Sequence, residues 1–232
     1  MTECLLITHQ FIKKDESWKY KVFDFCMNYY KKQNPNAYII LTGHGIKPLK
    51  TTLDCCDWFY WSDEIIENDI NRGHPKLVTI GLEHAKKKGF TYICKTRLDS
   101  IIMIPNIVDY CHRKLIESKK IMINTHYYKN NYLLMDLFMY SKTDDMLKMF
   151  NPNKWVVNWD KSGMGPVANN LFEDILNKKL LFPFNLEFWE KHLNDNILFL
   201  SPEHVKWVDF RTHKNIINNI RIEECNKYLW KH

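Results

Sequence analysis

The stretch NDINRGHPKLVTIGLEHAKKKGFTYICKTRLDS, residues 68–100, decides how this chain is read. Pro75 suits a first helical turn and Gly89 suits the position just past a helix end, so the spacing predicts a helix over residues 75–88. Val78, Gly81, Leu82 and Ala85 line its inner face at three- and four-residue intervals. Phe90 to Lys95 then reads as a buried strand that runs straight into Thr96-Arg97-Leu98-Asp99. A helix delivered into an apolar strand is the alternation of an α/β sheet.

Working outward, residues 4–11 (CLLITHQF) form a short apolar run ending in Thr8, His9 and Gln10. It reads as a strand whose carboxyl end opens into a loop, with Asp15 able to cap the following helix. Trp18, Val22, Phe25, Cys26 and Tyr29 supply that helix with one apolar stripe. Residues 37–42 (AYIILT) are a second strand and residues 57–61 (DWFYW) a short third one. Beyond Asp99 the pattern changes. Residues 120–128 and 133–141 read as strands of opposite sense, Asp144 begins a short helix through Phe150, and Gly165-Pro166 starts another. Val167, Ala168, Leu171, Phe172, Ile175 and Leu176 form the buried face of the latter. The tail from Ser201 packs back on the core. Thr8 to Gln10, Thr42 to His44 and Arg97 to Asp99 all fall at strand ends, and ligands of such sheets sit beyond the carboxyl ends of the strands.

At 232 residues the chain is long enough to bury about 70–75% of its unfolded surface without staples. With 45% hydrophobic and 26% charged residues it is not disordered, collagen-like or a coiled coil. No apolar run approaches the roughly 20 residues that span a bilayer. Met1 to Thr8 reads as a first strand and not as a signal peptide. The cysteine count is odd, seven, with no CxxC, so neither a disulfide framework nor a zinc knuckle is expected, and a reducing cytoplasm is the simplest compartment. A net charge of +6 is diffuse and compatible with phosphate-bearing ligands, nucleic acid or peripheral contact with an anionic membrane. Nucleotide and hydrolase signatures such as GxGxxG, GxxxxGK[ST], HExxH and GxSxG are absent.

Asn71-Arg72, the helix with its Gly81-Leu82 step and the strand ending Lys95-Thr96-Arg97-Leu98-Asp99 together resemble the WavE-like lipopolysaccharide-synthesis family of glycosyltransferases. The likeness covers about 30 residues. Weaker echoes occur at Gln10 and at the strand that holds Asp136. The resemblance implies a GT-A fold, an α/β Rossmann-type single domain over residues 1–232 with a central mixed sheet. Residues 1–100 would form its nucleotide-binding half and 101–232 its acceptor half. It also implies a nucleoside diphosphate sugar as donor, a UDP-sugar by family, and a glycan or polysaccharide as acceptor. GT-A enzymes carry a DxD motif at the end of the fourth strand that holds a divalent metal on the donor diphosphate; here Arg97 stands for its first aspartate.

The chemistry assigns expected roles. A leaving diphosphate needs counter-charge, which Mn²⁺ or Mg²⁺ supplies as a Lewis acid, and such hard ions favour oxygen ligands such as Asp99. Arg97 and Arg72 offer fork-like donors to phosphate or base oxygens, beside Thr8, Gln10 and Lys95. Some GT-A enzymes add a carboxy-terminal histidine to the metal; His213 is preferred over His204. An inverting enzyme needs a carboxylate near the acceptor. Glu173 and Asp174 resemble the Glu-Asp pair of many inverting transferases, although they also sit on the polar face of an amphipathic helix. Asp136 interrupts the apolar run LLMDLFMY and is the alternative. A retaining enzyme needs no such base. Two other classes compete: a non-catalytic nucleotide-sugar-binding protein on the same fold, and a basic nucleic-acid-binding module that stacks bases on its aromatic residues.

Overall fold

The computed structural model describes residues 3–9, 19–63, 70–125, 127–128, 133–134, 138–154, 167, 170–178, 186–201, 204–209 and 219–221. Strand β1 (Cys4–His9) is buried at every residue, as its unbroken apolar run requires of a strand covered on both faces. It pairs in parallel with β2 (Tyr38–His44) on one side and β4 (Tyr92–Arg97) on the other. β3 (Trp58–Ser62) extends the sheet beyond β2. Past β4 come β9 (Phe138–Lys142), β6 (Met122–Asn124) and β10 (Ile197–Phe199), giving the order β10-β6-β9-β4-β1-β2-β3. β9 runs antiparallel to both neighbours and β10 parallel to β6, so β9 alone opposes the other strands of this mixed sheet.

The two-residue period of the strands sorts the core into two layers. Leu5 and Ile7 of β1, Ile39 and Leu41 of β2, Cys94 of β4 and Phe138 and Tyr140 of β9 face helix α1 (Lys19–Gln33) and helix α4 (Ile107–Ser118). Cys4, Leu6, Ile40, Ile93 and Met139 face the other way. There they meet helix α3 (Ile70–Lys87), helix α5 (Thr143–Met149) and Leu193 of the helix over Leu186–Asn196. A four-residue helix α2 (Lys50–Leu53) packs on α1. A second, three-stranded sheet joins β5 (Ser100–Ile102) to β11 (Val205–Asp209) and β12 (Asn219–Arg221), so part of the tail returns to the core as expected. β7 (Tyr127–Tyr128) and β8 (Leu133–Leu134) form a separate antiparallel pair. No helix among the described residues is long and apolar enough to cross a membrane.

Several local expectations change. Helix α3 begins at Ile70, so Pro75 lies inside it and not in its first turn. Proline lacks the N–H that would bond the Asn71 carbonyl. Burial of His74 and Leu77 carries the helix through that gap. At the other end Gly89 does adopt φ +86°, and Gly89 and Phe90 donate to Lys86 and Ala85, the paired bonds of a Schellman stop. The strands expected over 120–128 and 133–141 are each seen as two described pieces, β6 and β7 in the first and β8 and β9 in the second. They do run in opposite senses. Of the helix expected from Gly165-Pro166, Val167 and Asn170 are helical and a π-helical turn, Leu171–Ile175, follows with Leu171 and Phe172 buried; Gly165, Pro166 and Ala168 lie outside the described residues, as do Asp15 and Trp18.

Gly81 is the point of closest approach between α3 and the sheet: a Cβ there would collide with a Leu6 methyl and press on Thr42 Cγ2. Gly81→Val should destabilise the protein by about 1–3 kcal/mol in urea unfolding; wild-type stability would show that α3 does not pack this tightly. A second prediction concerns pH. Burial holds the thiols of Cys4, Cys94 and Cys111 far above the ordinary value of 9.0 and pushes Cys56 up to about 12. In the unfolded chain these thiols ionise near 9.0 while the native ones stay protonated. Their stabilisation is therefore intact below that pH and declines above it, by about 1.4 kcal/mol per pH unit per thiol. A urea midpoint unchanged between about pH 8 and about pH 10 would contradict this.

Candidate functional site

The chain leaves β1 for β2 and β3 on one side, then returns through α3 to β4 on the other. The crevice between the carboxyl ends of β1 and β4 is thus a topological switch point, where open α/β sheets bind ligands. At that edge Thr8 pairs in register with Arg97, and the Leu98 N–H donates to the Thr8 carbonyl at 3.1 Å.

β4 ends in a turn that folds Arg97 onto Asp99. Arg97 Nε donates to Asp99 Oδ1 at 2.9 Å and Nη2 to Oδ2 at 2.8 Å, a two-bond fork. The side chains are 29% and 25% exposed, so the pair stands at the surface of the crevice and is open to a ligand. Behind it, buried Tyr30 of α1 holds the turn. Its hydroxyl donates to the Ser100 carbonyl at 2.9 Å and lies 3.0 Å from Thr96 Oγ1. Ser100 Oγ in turn donates to the Arg97 carbonyl at 3.3 Å. Burial drives the Tyr30 phenol well above its usual pKa, so it stays a neutral donor.

Other polar groups gather at the same edge. His9 ends β1 with its ring edge-on to Phe23, and His44 ends β2, where burial lowers its pKa and keeps the imidazole neutral near pH 7. Thr125 follows β6, and its buried Oγ1 has no hydrogen-bond partner among the described residues; the same is true of Thr42 Oγ1 on β2.

The structure separates the expected residues. Thr8, Arg97 and Asp99 are brought together at the crevice. Lys95 is fully buried on the α3 face of β4, its Nζ 3.4 Å from His74 Nε2 and 5.5 Å from the centroid of the Phe150 ring. Alternation gives Lys95 the same face as Arg97, but it stands two residues further from the strand end, beneath the α3 layer. Arg72 lies in the first turn of α3, but its side chain is outside the described residues, as are Gln10, Asp136 and His213 entirely. Glu173 and Asp174 lie on the π-helical turn, which packs against α5; Glu173 is exposed and Asp174 accepts from Lys154 Nζ at 2.6 Å. His204 precedes β11, its carbonyl accepting from Met103 N at 2.7 Å. Sequence reading missed Tyr30 and His74. Both carried a signal: Tyr30 continues the Phe23–Met27 spacing, and His74 stands four residues before Val78 on the buried face of α3.

The described donors do not fit a divalent cation. Both Asp99 oxygens accept from Arg97, and among the described residues no three His, Cys, Asp or Glu side chains are grouped to hold a metal. A cavity of about 530 Å³ opens at the opposite edge, where Glu3, Tyr38, Tyr92 and His112 surround the amino ends of the parallel strands. The switch-point rule places ligands at the carboxyl ends, so this cavity is not the candidate site.

No family model matches the sequence, and neither does any curated protein. Among solved structures, the chain is similar to a nucleoside-diphosphate-sugar pyrophosphorylase from Vibrio cholerae, at 13% identity, with 97% of this chain and 99% of that one covered and a TM-score of 0.50. It is also similar to a glycosyltransferase involved in glycosylation of the major capsid of PBCV-1, at 9% identity, covering 97% and 89%, with a TM-score of 0.48. The fold is GT-A-like. Within it, the β4 end with Arg97 and Asp99 occupies the place where the resemblance sets the DxD motif, and Tyr30 supports that end from beneath.

Tyr30→Phe keeps the ring and removes one hydroxyl. It should cost about 1–3 kcal/mol in urea unfolding, because the buried Ser100 carbonyl loses its donor. A variant as stable as wild type would mean that the hydroxyl does not hold the turn.

Proposed function

We propose that the protein is a glycosyltransferase that moves a sugar from a nucleoside diphosphate sugar, a UDP-sugar by family resemblance, to a glycan or polysaccharide acceptor. The observation that carries the proposal is the half-buried Arg97–Asp99 fork at the carboxyl end of β4, beside Thr8 at the switch point of a GT-A-like sheet. A guanidinium fixed in that crevice is a donor set for a diphosphate, whose negative charge grows as the glycosidic bond to it breaks. Neutral His44 and the threonine hydroxyls near the crevice suit the uncharged sugar and ribose hydroxyls. In enzymes of this fold Mn²⁺ or Mg²⁺ supplies Lewis-acid stabilisation when bound; the described residues do not form such a site, and no step here depends on it.

The acceptor hydroxyl must lose a proton as it attacks the anomeric carbon. Glu173, Asp174 and Asp136 are the proposed acids for this role in an inverting reaction. Asp174 is already paired with Lys154 Nζ, whereas Glu173 is exposed. A second reading follows from the Vibrio cholerae neighbour, whose described activity is that of a pyrophosphorylase. On that reading the same crevice would join a nucleoside triphosphate to a sugar phosphate.

Product analysis separates the two. With a panel of UDP-sugars and oligosaccharide acceptors the protein should release UDP, whereas UTP with sugar 1-phosphates should release no pyrophosphate. Pyrophosphate release without UDP formation would favour the second reading. Within the first, Glu173→Gln or Asp174→Asn should lower kcat by at least about 100-fold while UDP affinity stays near wild type. Wild-type turnover in both single variants and the double variant would move the role to Asp136 or to a retaining mechanism.

A further inference from the structure

We infer that Asp99 is a positioning residue for Arg97, and that the Arg97 guanidinium takes the place of a divalent cation as the counter-charge for the donor diphosphate. The inference rests on the nucleoside-diphosphate reading above and specifies how that site works.

A guanidinium carries five N–H donors in one plane. Asp99 takes the side formed by Nε and Nη2, with bonds of 2.9 and 2.8 Å. That orientation fixes the plane and presents the end-on fork, one N–H from Nη1 and one from Nη2, which matches two oxygens of a phosphate. At 29% exposure the head group is reachable by a ligand yet screened less than a surface arginine. The turn that carries it is preset, because Tyr30 holds Thr96 and Ser100 and Ser100 holds the Arg97 carbonyl. A site ordered before the ligand arrives loses less entropy on binding.

A dication at Asp99 meets the opposite conditions. It would have to share carboxylate oxygens that already accept from Arg97, and it would add two positive charges beside a guanidinium that Asp99 now neutralises. Hard cations of this type also require several oxygen ligands, and among the described residues no three His, Cys, Asp or Glu side chains are grouped to hold one. The carboxylate here serves arginine geometry better than metal coordination.

Calorimetry on the full-length protein tests this. UDP and GDP are titrated in EDTA and again in Mn²⁺. A nucleotide that binds should do so in EDTA with an affinity less than about tenfold below that in Mn²⁺. Arg97→Gln should weaken it by about 10–100-fold in both buffers, and Arg97→Lys, which keeps charge but loses the fork, by less. Arg97→Lys also decides the matter if the glutamine variant does not fold. Asp99→Asn should weaken binding in EDTA as well as in Mn²⁺. Its urea-unfolding stability should stay near wild type, which separates positioning of Arg97 from a merely structural role. Binding that appears only with Mn²⁺, or an Asp99→Asn effect confined to the Mn²⁺ titration, overturns the inference while the nucleotide site stands. If neither nucleotide binds in either buffer, the functional reading falls and this inference with it.

Discussion

Burial of β1 on both faces is the constraint on which the rest of this structure depends. Cys4 to Ile7 expose no surface, so helices must cover the sheet on each side, and the chain must cross over the sheet to supply them. Burying a leucine or isoleucine side chain is worth about 1.5–3 kcal/mol, and β1 places four apolar residues in succession between two layers. The crossovers that satisfy this demand put β2 and β4 on opposite sides of β1 and create the crevice between them. The binding edge is therefore a by-product of core formation: the strand that most needs cover ends in Thr8 and His9, where the helices part.

The charges at that edge are not there for stability. An ion pair about a quarter exposed contributes about 0–1 kcal/mol, less than one well-packed methyl-rich side chain. The buried hydroxyl of Tyr30 beneath it does more for the fold, since it satisfies a buried carbonyl. The division of labour is clear: Tyr30, Thr96 and Ser100 shape the turn, and Arg97 and Asp99 present charge from it. Lys95 lies two residues before Arg97, on the face of β4 opposite Thr96, where it meets His74 and Phe150 inside the α3 layer. It shares a motif with Arg97 but not an environment.

Much of the amino-terminal half was legible in the residues. The strands at Cys4, Tyr38, Trp58 and Tyr92 announce themselves as short apolar or aromatic runs, and Gly89 marks the end of α3 through its left-handed backbone. The start of α3 was hidden because Pro75 normally opens a helix, and only tertiary burial of His74 reveals that this one begins earlier. The second half was harder. β6 and β9 were legible as strands of opposite sense, but β10, three residues long, is too short for periodicity to register. At the site, Arg97 and Asp99 were visible as a motif, yet their mutual fork was not, because two residues apart on a strand would face the same way without touching. A turn after Arg97 brings them together, and its anchor, Tyr30, lies 66 residues away from Thr96 in sequence.

The central claim is that a nucleoside diphosphate binds at the carboxyl edge of β1 and β4 with its phosphates on Arg97. A crystal structure of the complex with UDP, grown in EDTA, tests it most directly. The account predicts phosphate oxygens within about 3.2 Å of the Arg97 guanidinium, with the Arg97–Asp99 fork intact. UDP seated instead in the cavity between Tyr38 and His112, or bound at the crevice with Arg97 turned away from both the phosphates and Asp99, would contradict it.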